Sequence, residues 1–262
     1  MNARLQAHLP ARTGAAVEGA GGMKATARPF AARALEAVLF DLDGTLLDTA
    51  ADISVALNRA LAEQRLSSLP EAEVRQLIGR GVPVLIERVV ARLAATGECA
   101  DAARLLERFR FHYERLSTHE EIRTRAYPGV SAGLDALHAQ GLRMAVATNK
   151  PREVTLALLA RLGVGRWVAV VVGGDSGLPP KPHPEPLLRA CQELGVRPAR
   201  ALMVGDSQTD VLAARAAGLA VVCVPYGYNE GADARALSCD AFVESIAELP
   251  ALLSASGCWP VP

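Results

Sequence analysis

The sequence predicts an α/β protein: a doubly wound parallel-sheet (Rossmann-like) core carrying a small inserted helical cap. Three observations lead there. Short, continuously apolar runs end in polar, glycine-rich sequence, stretches with helical spacing separate them, and one long interval contains no strand-like run. Apolar strands that alternate with helices in this way read as a parallel sheet covered on both faces.

In chain order, residues 1–34 form an N-terminal extension expected to be disordered. The first 33 residues are rich in Ala, Gly and Arg, with Glu18 the single acid. They lack the apolar centre of a secretory signal and contain no serine, which counts against a transit peptide. Met23 is an alternative start. The first strand is expected over residues 37–40, ending at Asp41. From residue 50 to 126 the chain is helix-like, punctuated by Ser67-Ser68-Leu69-Pro70 and Thr96-Gly97-Glu98, and reads as the cap. It rejoins the sheet near Tyr127-Pro128-Gly129. Further strands are expected over 143–147, 168–172, 201–204 and 221–224, with helices over 131–139, 153–162, 184–194 and 209–217. The core then comprises 35–49 and 127–254, and residues 255–262 are a tail. Ligands of such sheets bind beyond the carboxyl ends of the strands, where Asp41, Thr148 and Asp206 fall.

Half of the residues are hydrophobic, enough for a sizeable core, and Lys+Arg balance Asp+Glu at 28 each. With no net field, nucleic acid and anionic membrane surfaces are not expected partners. No stretch approaches the roughly 18 apolar residues that a membrane span requires. Cys99, Cys191, Cys223, Cys239 and Cys258 are odd in number and scattered, which fits reduced thiols and a cytoplasmic protein rather than a disulfide framework or zinc ribbon. Cys223, in Ala220-Val221-Val222-Cys223-Val224, reads as a small buried hydrophobe.

Four segments carry the chemistry. In Asp41-Leu42-Asp43-Gly44-Thr45 an extended backbone puts the two carboxylates on one side, and Gly44 permits a sharp turn. Neighbouring carboxylates repel, and Mg²⁺ resolves the repulsion because it takes one or two carboxylates together with phosphate oxygens and waters. Thr148-Asn149-Lys150 offers a hydroxyl, an amide and backbone N–H groups to phosphate. Lys181-Pro182-His183-Pro184-Glu185-Pro186 holds a lysine among stiff prolines, so it is aimed. Gly205-Asp206-Ser207-Gln208-Thr209-Asp210 ends another strand with two acids. There Asp206 or Ser207 can cap the next helix while Asp206 takes the metal and Asp210 orients its neighbours.

These four ordered motifs resemble those of the haloacid-dehalogenase superfamily over roughly residues 36–253, and the helical insertion is similar to that superfamily's small cap. The resemblance implies that Asp41 is the nucleophile and Asp43 the general acid and base. It also implies that Asp41, Asp206 and the main-chain carbonyl of Asp43 hold Mg²⁺, and that Thr148, Asn149 and Lys181 hold phosphate. Gly44, Thr45, Ser207 and Asp210 would support them. Ile78-Gly79-Arg80-Gly81, Val172-Gly173-Gly174-Asp175 and Val224-Pro225-Tyr226-Gly227-Tyr228-Asn229 resemble phosphoglycolate phosphatases more narrowly. The implied substrate is a small phosphorylated metabolite, 2-phosphoglycolate first, and the implied assembly a monomer or homodimer. Arg80, between two glycines, is expected to bind the substrate's carboxylate. Pro180 leaves one lysine where relatives often show two, and the N-terminal extension has no counterpart. The alternatives are another sugar-phosphate phosphatase, a phosphomutase, or a non-catalytic regulatory protein on the same fold.

Overall fold

A computed structural model describes residues 35–119 and 121–254. The expectations for residues 1–34 and 255–262, Met23 and Cys258 among them, lie outside the described residues. Strand β1 (Ala37–Phe40) is wholly buried and leads through the two-residue β2 (Leu47–Asp48) into four helices. These are α1 (Ala50–Glu63), α2 (Glu71–Leu77), α3 (Val82–Ala94) and α4 (Ala102–Thr118). The chain continues through β3 (Arg125–Ala126), α5 (Val130–Ala139), β4 (Arg143–Ala147), α6 (Arg152–Arg161) and β5 (Val170–Val172). It ends with α7 (Glu185–Leu194), β6 (Ala201–Gly205), α8 (Gln208–Ala217), β7 (Ala220–Cys223), β8 (Ala241–Phe242) and α9 (Leu249–Ser254).

Six strands form one parallel sheet in the order β5-β4-β1-β6-β7-β8. Strand alternation divides β1 between two layers. Val38 and Phe40 pack with Leu134 of α5 and Leu158 of α6, whereas Ala37 and Leu39 pack with Leu187 of α7 and Ala214 of α8. Helices therefore cover both faces, as expected of a doubly wound sheet. From β1 the chain builds outward to β4 and β5 on one side, then to β6, β7 and β8 on the other. The order reverses at β1, and the carboxyl ends of β1, β4 and β6 meet at the switch point.

The expected helices of the sheet domain stand within one residue of their sequence positions. Three features differ. The strand expected over 168–172 begins at Val170, because Gly165–Trp167 forms a 3₁₀ turn that buries Trp167. The edge strand β8 was not anticipated. Nor was the antiparallel ribbon in which Leu47 faces Ala126 and Asp48 faces Arg125, so the end of the supposedly strand-free interval holds a short strand. Two-residue strands have no periodicity to read; only the pairing creates them.

The four helices rest on a shared apolar interior that includes Leu57, Leu85, Phe109 and Tyr113. Asp52 of α1 fastens the returning chain: its carboxylate accepts from the N–H groups of Arg123 and Thr124 and from the Thr124 hydroxyl. The start of α1 lacks a side chain of its own to satisfy the exposed N–H groups. Tyr228, from the loop after β7, fills the gap, its hydroxyl accepting from Thr49 N–H at 2.7 Å and Ala50 N–H at 3.0 Å.

Candidate active site

Asp41 leaves β1 with its N–H bonded to Val204 of β6, so the sheet ladder sets its position. Its Oδ1 accepts from Leu42 N–H at 2.7 Å and lies 2.9 Å from the Lys181 ammonium. Lys181 is almost completely buried, and its Nζ also donates to Asp210 Oδ1 at 2.7 Å. Asn149 holds the lysine's main chain from both sides: its amide donates to the Lys181 carbonyl at 3.0 Å and accepts from the Lys181 N–H at 2.9 Å. The Asn149 side chain, expected on phosphate, is thereby committed to placing Lys181. Thr148 is buried at the end of β4, its N–H donating to the Val172 carbonyl.

Asp206 sits where β6 ends. A Cβ on Gly44 would come within 2.4 Å of its Oδ2, and one on Gly227 within 2.3 Å, so two glycines make room for this carboxylate. Its Oδ1 accepts from the Thr45 hydroxyl at 2.8 Å and its Oδ2 from Tyr228 N–H at 2.7 Å. Ser207 caps α8, and its hydroxyl and N–H both donate to Asp210 Oδ2. Asp210 thus has one oxygen on Ser207 and the other on Lys181.

Among the described residues, carboxylate oxygens of Asp41, Asp206 and Asp210 lie within 4.8 Å of one another. Burial pushes the Asp206 carboxyl up to about 8, with the charges of Asp210 and Asp41 adding to the effect. Burial likewise raises Asp41 to about 6, against the opposing pull of Lys181. An all-oxygen donor set of buried, mutually repelling carboxylates fits a hard divalent cation such as Mg²⁺. Asp210 is tied to the Lys181 ammonium and to Ser207, whereas Asp206 accepts only from neutral donors and Asp41 Oδ1 alone meets the lysine, so Asp41 and Asp206 are the acids that could hold it.

Asp43 stands apart from that cluster. Its oxygens accept from Lys150 Nζ at 2.9 Å each, and Oδ1 also accepts from the Thr49 hydroxyl at 2.7 Å. A metal role for Asp43 is therefore left to its main-chain carbonyl. Arg80 also departs from expectation. Its Nε donates to Glu230 Oε1 at 2.8 Å on a half-exposed surface, and the residue does not line the pocket over Asp41, although Gly79 and Gly81 do.

Three residues that sequence reasoning left aside take part. Lys150 is buried, pairs with Asp43 and stands 4.6 Å from the Tyr113 ring centroid. Its position directly after Thr148-Asn149 was the available signal, since that loop already faces the site. Tyr113 comes from a distant segment and had no signal in the sequence, while Tyr228 lay in the 224–229 stretch with no role assigned to it.

This set, at the switch point of a doubly wound sheet, accompanies a match to the haloacid dehalogenase-like hydrolase family over residues 38–224. The chain belongs to that family. A phosphoglycolate phosphatase of Cupriavidus necator, plasmid-encoded, is 47% identical over 220 residues, covering 83% of this chain and 93% of that protein. A phosphoglycolate phosphatase of Nitrosospira multiformis is 44% identical over 227 residues, 85% and 97% of the two chains. The crystal structure of a predicted phosphoglycolate phosphatase from Haemophilus somnus is similar with a TM-score of 0.77 at 34% identity, covering 82% of this chain and 96% of that one. CbbY from Rhodobacter sphaeroides, crystallised with phosphate, gives a TM-score of 0.70 at 28% identity over 82% and 96%.

Proposed function

We propose that this chain is a Mg²⁺-dependent phosphatase that converts 2-phosphoglycolate to glycolate and phosphate through a phosphoaspartyl intermediate on Asp41. The observation that carries the reading is the Asp41 carboxylate at the sheet's switch point, paired with Lys181 beside Asp206 and covered by a pocket. The names of the relatives at 47% and 44% identity support the substrate.

Asp41 attacks phosphorus, the bond to the ester oxygen breaks, and Asp43 gives that oxygen a proton. Asp43 then takes a proton from water, whose oxygen attacks phosphorus and frees phosphate from Asp41. Asp41, Asp206 and the main-chain carbonyl of Asp43 would hold Mg²⁺, which would supply charge neutralisation for the phosphate. Lys181 adds a fixed positive charge at the nucleophile, and Thr148 offers a hydroxyl beside it. Asn149 places Lys181, Thr45 steadies Asp206, Gly44 gives it room, and Ser207 and Asp210 hold the lysine's far side.

Residues 50–126 act as a cap that excludes water and reads the organic end of the ester, over a core of 35–49 and 127–254. Similarity to Rhodobacter sphaeroides CbbY crystallised with xylulose 1,5-bisphosphate, at 28% identity, favours a second reading, a sugar-phosphate phosphatase. Steady-state rates on a panel of phosphate esters, with and without Mg²⁺, test both. The highest kcat/KM is expected on 2-phosphoglycolate, with activity lost on chelation. A sugar phosphate at the head of the panel would transfer the assignment, and metal-independent turnover would remove Mg²⁺ from it.

A further inference from the structure

The pocket over Asp41 is lined on one side by Asp43, Thr148 and Lys150, and on the other by an apolar wall that includes Ile53, Leu85 and Phe109. Lys150 is the one cation among its described lining residues. Two of the ammonium's three N–H groups go to Asp43 at 2.9 Å, which leaves a third for a ligand.

Beside it, Tyr113 is 3% exposed, and its hydroxyl, within electrostatic reach of the Lys150 ammonium, completes no hydrogen bond of ordinary geometry. The ring is fixed by stacking on Phe109, with centroids 5.5 Å apart, so the hydroxyl is held in place. Buried polar groups in native proteins are nearly always paired, and an orphaned one beside a pocket points to a ligand or water.

The third feature is the N-terminus of α3, 13 residues long, where Gly81 and Val82 line the pocket and no side chain caps the first turn. Gly81 has φ +83°, and a Cβ there would meet the Asn149 carbonyl at 3.2 Å; glycine lets this helix end approach the Thr148–Lys150 loop. Helix N-termini favour anions.

We propose that Lys150, the Tyr113 hydroxyl and the N-terminus of α3 form the subsite for the substrate's terminal carboxylate. The pocket then selects a short phosphate ester ending in a carboxylate, an inference that rests on the phosphoglycolate reading above. An ester ending in a methyl group would leave the ammonium's third N–H and the hydroxyl without a ligand partner. The apolar wall gives no partners to the hydroxyls of a sugar.

The test compares 2-phosphoglycolate with ethyl phosphate, which matches it in length and lacks the carboxylate, on wild type and Tyr113→Phe. The substitution removes one oxygen and keeps the stacked ring. The ratio of kcat/KM for 2-phosphoglycolate over ethyl phosphate is expected to fall about tenfold or more, chiefly through KM for 2-phosphoglycolate. Equal losses on both esters would reveal a general closure effect and overturn the subsite, as would an unchanged ratio. A wild-type enzyme with no preference for 2-phosphoglycolate would overturn the substrate reading and the subsite together. A preference that survives Tyr113→Phe overturns the subsite alone.

Discussion

Asp41 and Asp43 have the same side chain, two positions apart, and meet different environments. Asp41 faces Lys181 and the buried acids Asp206 and Asp210, whereas Asp43 faces Lys150 and the Thr49 hydroxyl. In the proposed mechanism Asp41 is the nucleophile and Asp43 moves the protons. Asp41→Asn keeps the shape and removes the ionised oxygen that attacks phosphorus in the proposed mechanism. Turnover is expected to fall below about a thousandth of wild type while the circular dichroism spectrum is retained. Activity above that level, in a sample free of other phosphatases, would assign the nucleophile elsewhere. The two acids were legible in the sequence because they directly follow the apolar run that forms β1. Their partners were not, since Lys150 and Thr49 reach Asp43 from separate elements.

At the scale of elements, the helical insertion is tied to the sheet by contacts remote in sequence. Tyr228 is the plainest of them. Besides accepting from Thr49 and Ala50, its hydroxyl donates to Asp48 Oδ1 at 2.9 Å, joining the loop after β7 to the start of α1. Tyr228→Phe would strand two buried N–H groups and is expected to cost about 1–3 kcal/mol, read as a shift in urea midpoint with unchanged slope. An unshifted midpoint would mean that water replaces the hydroxyl at no cost. Glu230 adds a second tie, pairing with Arg80 and Arg88 across the same junction. Arg80 therefore illustrates how a glycine-flanked arginine reads as a ligand contact in sequence, while an acid 150 residues away takes it up in the fold.

Across the whole molecule, the buried acids link stability to pH and metal. Asp206 is raised to about 8 and Asp41 to about 6 from an ordinary value of 3.8, burial being the main cause for each. Between about pH 4 and pH 8 the metal-free folded protein therefore keeps protons that the unfolded chain has released. Stability should decline as pH rises through that window. Mg²⁺ prefers the ionised carboxylates of the folded state and should offset the decline, most at the alkaline end. Melting temperatures of chelated and Mg²⁺-loaded protein from pH 5 to pH 8 check this. Parallel profiles would show that neither acid binds the ion.

The sequence by itself determined the doubly wound sheet, the helical insertion and the placing of Asp41, Thr148 and Asp206 at strand ends. Apolar runs and helical spacing are local properties, and a parallel sheet assembled from them has its ligand crevice at the carboxyl edge. Asp210 and Ser207 were legible for the same reason, lying one helical turn apart at a capped start. Only the tertiary structure decided which charges face each other. Lys150 met Asp43, Asn149 turned from phosphate to the main chain of Lys181, Tyr228 capped a helix some 180 residues away, and the Tyr113 hydroxyl was left in the pocket without a hydrogen bond of ordinary geometry. Pairing depends on where separate elements cross once their apolar faces are buried, and no periodicity within a single segment records that.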